Sequence, residues 1–401
     1  MAGMADIPLI FHDKARREYK KTEITAPFSQ SQAMSVRKFH RSFPQYQPTP
    51  LVRLTNLARR LSVSDIYVKD ESQRFGLKAF KVLGVTHAVA HVIAERRGVN
   101  ENSLSFGLFE SDSIQRELSR ITLVTATDGN HGRAVAWAAQ ILGCGAAVYM
   151  PKGSAAPRIE AIREHGAAVE VIDGNYDDAV YLAAERAREP NWILVQDTAW
   201  EGYEDLPLRI IQGYLTIMDE ALEQLNQEAP THVFVQCGVG SLAAAMQAYL
   251  VELFGANRPK FIVVEPLGAA CFYKSMAAND GQPHKIGGNL NTIMAGLACG
   301  EPNLMAWRIL RKYADGFIAC DDSVALSGMR ILGNPLPGDE LIVSGESGAV
   351  TAGLLVEILG SSTYSGIKDA LELNPASRVL LISTEGDTDP DMYKRAISKN
   401  T

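Results

Sequence analysis

The sequence predicts an α/β protein built from two open, mostly parallel, twisted sheets flanked by helices, with a smaller domain inserted in a larger one. Three observations carry this. Short apolar runs alternate with helical stretches along most of the chain, the pattern of strands joined by crossover helices. The length, 401 residues, exceeds what one hydrophobic core usually fills. No Gly-, Ser- or Pro-rich linker divides the lobes, which favours insertion over tandem arrangement. The expected division is 1–86 with 200–401 as the large domain and 87–199 as the small one.

The first 47 residues are polar and aromatic with little periodicity, and are expected to wrap a lobe or meet a partner subunit. Gln47-Pro48-Thr49-Pro50-Leu51 is a proline-stiffened, extended entry. A short helix over 55–61 leads to the strand Ile66-Tyr67-Val68. After the polar Lys69-Asp70-Glu71-Ser72 comes Phe75-Gly76-Leu77-Lys78-Ala79-Phe80-Lys81-Val82-Leu83-Gly84, a loop opening a helix that runs to about Arg97. Residues 100–118 are polar and ambiguous. Ile121–Thr125 is a strand entering Ala126-Thr127-Asp128-Gly129-Asn130-His131-Gly132-Arg133 and an alanine-rich helix that stops at Gly143. Strands follow at 147–150, 169–172 and 192–196, with a helix from 156 to His165-Gly166 and another capped by Asn175. A long helix over 207–226 opens a second series: the strand His232–Gln236, the turn Gly238-Val239-Gly240-Ser241, a helix, and the strand Phe261–Glu265. Residues 266–302 read as a long, glycine-rich, irregular loop of the kind that usually has a function. The final strand, Val379–Ser383, precedes Thr384-Glu385-Gly386-Asp387.

Composition narrows the function. The net charge of −7, without a basic run, disfavours nucleic acid and anionic membranes as partners. The five cysteines are scattered with no Cys-x-x-Cys pair, so neither a disulfide framework nor a metal site is expected, and a reducing cytoplasm fits. The N-terminal residues lack the apolar core of a secretory leader, and no apolar run approaches the ~20 residues of a membrane span.

Lys81 is the principal chemical candidate. Phe80, Val82 and Leu83 flank it, and the positive end of a helix lies beside it. Both disfavour an ammonium, so a lowered pKa is expected, as in lysines that form Schiff bases. A lone lysine at a helix start is usually solvated, and Lys78 competes with it, three residues back on the same face if that turn is helical. Gly238-Val239-Gly240-Ser241 can present amides to a phosphate, or form a plain tight turn. With Ala243 and Glu265 it also satisfies a loose dinucleotide fingerprint, so a nicotinamide-dependent dehydrogenase is open. Asp128 reads as a helix cap or a proton carrier, and His131 more simply as structural. Asp197, ending a strand, lies where open sheets bind ligands or where a chain turns. Glu346 and Ser347 stand at a helix start that a cap explains equally well.

Taken in order, Pro48-Thr49-Pro50-Leu51, Phe80-Lys81, the Gly129-Asn130-His131 turn, the 238–241 loop, Glu346 and Ser383 resemble the fold-type II pyridoxal phosphate enzymes, which include threonine dehydratase and serine racemase. The longer segments 75–81, 127–133, 195–203, 293–302 and 383–389 are similar to the diaminopropionate ammonia-lyases of that group. The resemblance spans about 28–389. It implies pyridoxal 5'-phosphate as cofactor, with Lys81 as its Schiff-base lysine and Asn130 on its phenolic oxygen. It also implies Gly238, Val239, Gly240, Ser241 and Leu242 around the phosphate, Ser383 or Thr384 at the ring nitrogen, and Glu346 among the cofactor contacts. Thr127, Asp128, Gly129 and His131 would bind the substrate carboxylate through their amides. Asp128 stands where relatives commonly carry serine. Together with Asp197 it is expected to serve the β-amino group, and opposite Lys81 to take the α-proton from the second face of either enantiomer. The implied reaction is α,β-elimination of 2,3-diaminopropionate to pyruvate and two ammonia in a homodimer. A serine or threonine dehydratase and a non-catalytic binding protein of the same fold remain alternatives.

Overall fold

The structure is a computed structural model that describes residues 7–398; the expected N-terminal wrap therefore falls outside it at its first six positions. In chain order the strands are β1 (Leu9–Phe11), β2 (Leu51–Arg53), β3 (Asp65–Asp70), β4 (Thr122–Ala126), β5 (Gly145–Met150), β6 (Ala168–Val171), β7 (Trp192–Leu194), β8 (His232–Gln236), β9 (Lys260–Pro266), β10 (Gly316–Cys320) and β11 (Arg378–Ser383). They form two sheets in two compact units. One unit is made by the chain up to Gln30, Thr49–Gln73 and the chain from Ile217; the other is made by Ser31–Pro48 and Arg74–Thr216.

The larger unit holds a seven-stranded sheet in the order β1-β10-β9-β8-β11-β3-β2. Its five inner strands are parallel, and β1 and β2 close the edges antiparallel. Every residue of β8 and β10 is buried, as expected of strands covered on both faces. Three-residue edge strands leave little unpaired backbone for a stray strand to join. The smaller unit holds a parallel four-stranded sheet, β6-β5-β4-β7. Its outer strand β6 is largely exposed, while β4 is buried along four of its five residues.

The helix Val82–Arg97 is buried over most of its length and crosses the helix Asp205–Gly213 at a pair of glycines. A Cβ on Gly84 would lie 2.7 Å from Ile210 Cγ2 and from the Tyr214 ring, and one on Gly213 would lie 2.5 Å from the Leu83 carbonyl. Because only backbone fits there, the two helices pack as one body. The two compact units divide the chain differently from the expected domains, with 74–86, 200–216 and 31–48 in the smaller unit.

Other expectations shift locally. The helix expected over 207–226 is two helices, Asp205–Gly213 and Leu215–Gln224, broken at Tyr214. The stretch 266–302 is not wholly irregular, since Cys271–Ala278 is helical. The ambiguous 100–118 contains the short helical turns Glu101–Ser103 and Phe106–Glu110 and the helix Asp112–Leu118. Asn175 caps its helix as expected, in a reciprocal box with Asp178.

Candidate active site

The smaller unit gathers Lys81, Asp128, Asn130, His131 and Asp197. The loop before Lys81 turns sharply, with Phe75, Gly76 and Lys78 in the left-handed region at φ 50°, 72° and 56°. Lys78 therefore shares no helical face with Lys81, which is the N-cap of Val82–Arg97. Arg133 pins the loop by donating from Nη1 to the Leu77 carbonyl, 3.1 Å away.

Lys81 Nζ lies 2.5 Å from Asp197 Oδ2, and both side chains are largely buried. Asp197 follows β7 at its C-terminal end. The segment before it is fixed on two sides: Gln196 Oε1 accepts from Thr125 Oγ1 and the Ala126 amide, and the Gln196 amide donates to the Tyr203 hydroxyl at 2.9 Å. Burial alone would push the Lys81 pKa down, as the sequence suggested. The Asp197 carboxylate, with Tyr214 and Asp128 nearby, outweighs it and holds the ammonium above its ordinary range. The expected depression is thus reversed by a carboxylate that sequence neighbours could not reveal. Burial likewise works to raise Asp197, but His131 and Lys81 hold it down at about 2.

Asp128 is not the helix cap. Thr127 Oγ1 accepts from the amides of Gly129 at 2.9 Å and Gly132 at 3.0 Å, and the helix runs Asn130–Leu142 from there. The charge of Asp128 bears instead on Lys81 and His131. His131 is buried, with Nε2 2.7 Å from the Val195 carbonyl and Nδ1 3.7 Å from Asp197 Oδ2. Burial lowers its pKa. Tyr214, packed edge-on to Phe80 at 4.8 Å, is a neighbour of Lys81 that the sequence gives no signal for, since 207–226 reads as one unbroken helix.

The larger unit holds the other predicted residues. β8 ends at Gln236, and the turn through Gly238 and Gly240 opens the helix Ser241–Phe254. The amides of Gly238, Val239 and Gly240 donate to no backbone acceptor among the described residues. A Cβ on Gly238 would sit 3.2 Å from Cys299 Sγ and the Gly296 carbonyl. Gly240, at φ +97°, would bring one into Phe272. Ser383 ends β11 and donates to Ser344 Oγ at 2.8 Å, and Thr384 Oγ1 accepts from Gln236 Nε2 at 2.8 Å. Gln236, also missed, spends that amide on Ser347 and Ile382 carbonyls too, and its Oε1 is buried without a partner. Glu346 is the buried first residue of the helix Glu346–Gly360, but the oxygen accepting an amide there is Glu385 Oε1, 2.9 Å from Ser347 N. Glu265 is committed elsewhere: its oxygens accept the Phe272 and Tyr273 amides at 2.8 and 2.7 Å, at the start of Cys271–Ala278. It cannot hold a ribose, which removes the basis of the dinucleotide reading.

Each unit's donor set, taken by itself, suits a part of pyridoxal 5'-phosphate. Amides that meet no backbone acceptor among the described residues, on a turn at a helix N-terminus with no room for a Cβ at Gly240, suit a phosphate. In the smaller unit Lys81 is a largely buried amine, and in the larger unit Ser383 and Thr384 carry hydroxyls. No group of three or more metal-ligating side chains occurs among the described residues.

The comparisons agree. The chain matches the family of pyridoxal-phosphate dependent enzymes over residues 43–385. It is 50% identical over 360 residues to the diaminopropionate ammonia-lyase of Salmonella typhimurium, covering 89% of each chain. The solved structure of Escherichia coli diaminopropionate ammonia lyase in complex with D-serine matches with a TM-score of 0.89 and 44% identity, over 98% of this chain and 97% of that one. The biosynthetic L-threonine dehydratase of Escherichia coli is only 28% identical over 287 residues, 71% of this chain and 48% of that protein. The chain therefore belongs to the pyridoxal-phosphate dependent enzymes, in the diaminopropionate ammonia-lyase family.

Proposed function

We propose that the protein converts 2,3-diaminopropionate and one water to pyruvate and two ammonia, with Lys81, Asp128 and Asp197 as its catalytic residues. One observation carries the reading: Lys81 Nζ lies 2.5 Å from Asp197 and also feels the charge of Asp128. Two carboxylates around one amine suit a substrate that brings two ammonium groups.

Pyridoxal 5'-phosphate, when bound, supplies an electron sink for the charge left on the α-carbon. Lys81 holds the cofactor and, once released, takes the α-proton from one face. Asp128 takes it from the other, so both enantiomers react. Asp197, held as a carboxylate at neutral pH, receives the β-ammonium in the place Lys81 occupies and keeps it protonated until it leaves. The amides of the 238–242 turn take the phosphate, and Asn130 orients the cofactor's phenolic oxygen. Ser383 or Thr384 meets the ring nitrogen with a hydroxyl, and Glu346 lines the cofactor site. The Thr127–His131 amides hold the substrate carboxylate, close to the start of a helix whose dipole favours an anion. The protein works as a homodimer in the cytoplasm; light scattering should give about twice 43.6 kDa.

The test is pyruvate release from D- and L-2,3-diaminopropionate beside L-serine and L-threonine. Turnover of both diaminopropionate isomers, well above the hydroxy amino acids, is expected; a preference for serine or threonine would make it a dehydratase. Asp128→Ala should cost one isomer about a hundredfold and the other far less. Equal losses would refute the division of faces.

A further inference from the structure

We infer that His131 is a positioning residue for Lys81, taking up the lysine's proton through Asp197. The inference rests on Lys81 being the cofactor lysine and deepens that reading. A lysine that attacks a carbonyl or removes a proton must be a neutral amine. Lys81 is instead an ammonium paired with Asp197, so its proton needs an acceptor inside a largely buried site.

His131 offers one. A carbonyl oxygen can only accept, so Nε2, 2.7 Å from Val195 O, carries a hydrogen. The neutral ring then has a lone pair at Nδ1. That atom is buried and without a hydrogen-bond partner, and it lies 3.7 Å from Asp197 Oδ2, the same oxygen that Lys81 Nζ touches. A lone pair facing a carboxylate is unfavourable, and a proton on Nδ1 turns the 3.7 Å contact into an ion pair, which becomes a charge-assisted hydrogen bond once the two atoms close to hydrogen-bonding distance. In the transfer, an N–H bond of Lys81 breaks, an O–H on Asp197 Oδ2 forms transiently, and an N–H forms at His131 Nδ1. Lys81 becomes neutral and the imidazole cationic; Asp197 ends as it began, and total charge is unchanged. The reverse step returns the proton to Lys81.

Burial opposes an imidazolium at His131, and the charged groups beside it decide how far that opposition is offset. Asp197 and Asp128 stabilise an imidazolium, while Lys81 opposes it, and the transfer removes that opposing charge. Arg158, from the helix Ala156–Arg163, lays its aliphatic stem against Gly129 at the helix start. A substrate ammonium arriving at Asp197 pushes in the same direction, since two ammonium groups on one carboxylate repel.

The test is the rate at which the cofactor-stripped full chain takes up pyridoxal 5'-phosphate between pH 6 and 10, read by visible absorbance, in the wild type and in His131→Gln. Glutamine keeps a donor for Val195 but has no basic nitrogen. The variant should be slower by about tenfold or more near pH 7, with the gap closing as solvent deprotonates the lysine. Superimposable profiles would overturn the inference. Borohydride reduction and peptide mapping separate the two claims: wild-type label away from Lys81 sinks the cofactor-lysine reading itself. Should the variant not fold, ¹⁵N spectra of the wild type decide. One of its eight histidine rings should gain a proton at Nδ1, with Nε2 already protonated, when cofactor is added; no such ring refutes the inference.

Discussion

Gly240 holds the backbone at φ +97°, where an L side chain is strained, and any Cβ there meets Phe272 and Ala306. Both penalties fall on the turn assigned to the cofactor phosphate. Gly240→Ala should therefore destabilise the protein by roughly 1–3 kcal/mol and weaken cofactor binding at least about tenfold, read by urea unfolding and by fluorescence titration with pyridoxal 5'-phosphate. A variant of unchanged affinity would remove the turn from the phosphate site. The same scale shows what the sequence could and could not reveal. Lys81 and the glycine turn stand out in the sequence as candidates because each lies between a strand and a helix. The charge state of Lys81 was not legible, because it depends on Asp197, 116 residues away in the chain. By residue type Asp128 reads as the helix cap. The observed hydroxyl-to-amide bonds show Thr127 Oγ1 taking the amides at the helix start, which residue type did not reveal.

Among the elements, the crossing of Val82–Arg97 with Asp205–Gly213 fixes where Lys81 points, because Lys81 precedes the first of these helices and Gly84 lies in its first turn. A methyl at Gly84 must displace Ile210 or Tyr214, both buried, at a cost of about 1–3 kcal/mol. Gly84→Ala should lower the urea midpoint and also reduce turnover, since relieving the clash moves the helix carrying Lys81 relative to Asp197. Lost stability with unchanged kcat would show that the crossing does not position the lysine. Strand and helix alternation made both sheets legible. It could not show that two helices far apart in sequence form one body, because the signal is a pair of glycines at 84 and 213 whose partnership appears only on packing. The compact units therefore divide the chain differently from the expected 1–86 with 200–401 and 87–199, and the break at Tyr214 falls at the end of the same crossing.

Across the whole chain, acid should act through buried neutral histidines. In the smaller unit His87 Nδ1 donates to the Arg209 carbonyl at 2.7 Å, so its Nε2 accepts from His91 Nε2, 3.0 Å away. His91 Nδ1 is then left facing Glu101 Oε2 at 3.6 Å. Burial, helped by Arg209, pulls His91 down to about 4, and burial with its neighbour His91 pulls His87 well below its ordinary value. His131 and, in the larger unit, His232 are lowered by burial in the same direction. In each case the folded state binds protons less readily than the unfolded chain. Stability is therefore complete above about pH 6.5 and is lost as pH falls towards the folded values. For His91 alone the loss amounts to about 3 kcal/mol, roughly 2 of it by pH 5. Urea midpoints should fall steeply between pH 7 and 5. His91→Gln keeps an N–H for His87 but cannot titrate, so it should flatten that fall. Were the wild-type midpoint level across this range, the histidine pair would have to be protonated in the folded protein, contrary to the hydrogen bond the two rings share.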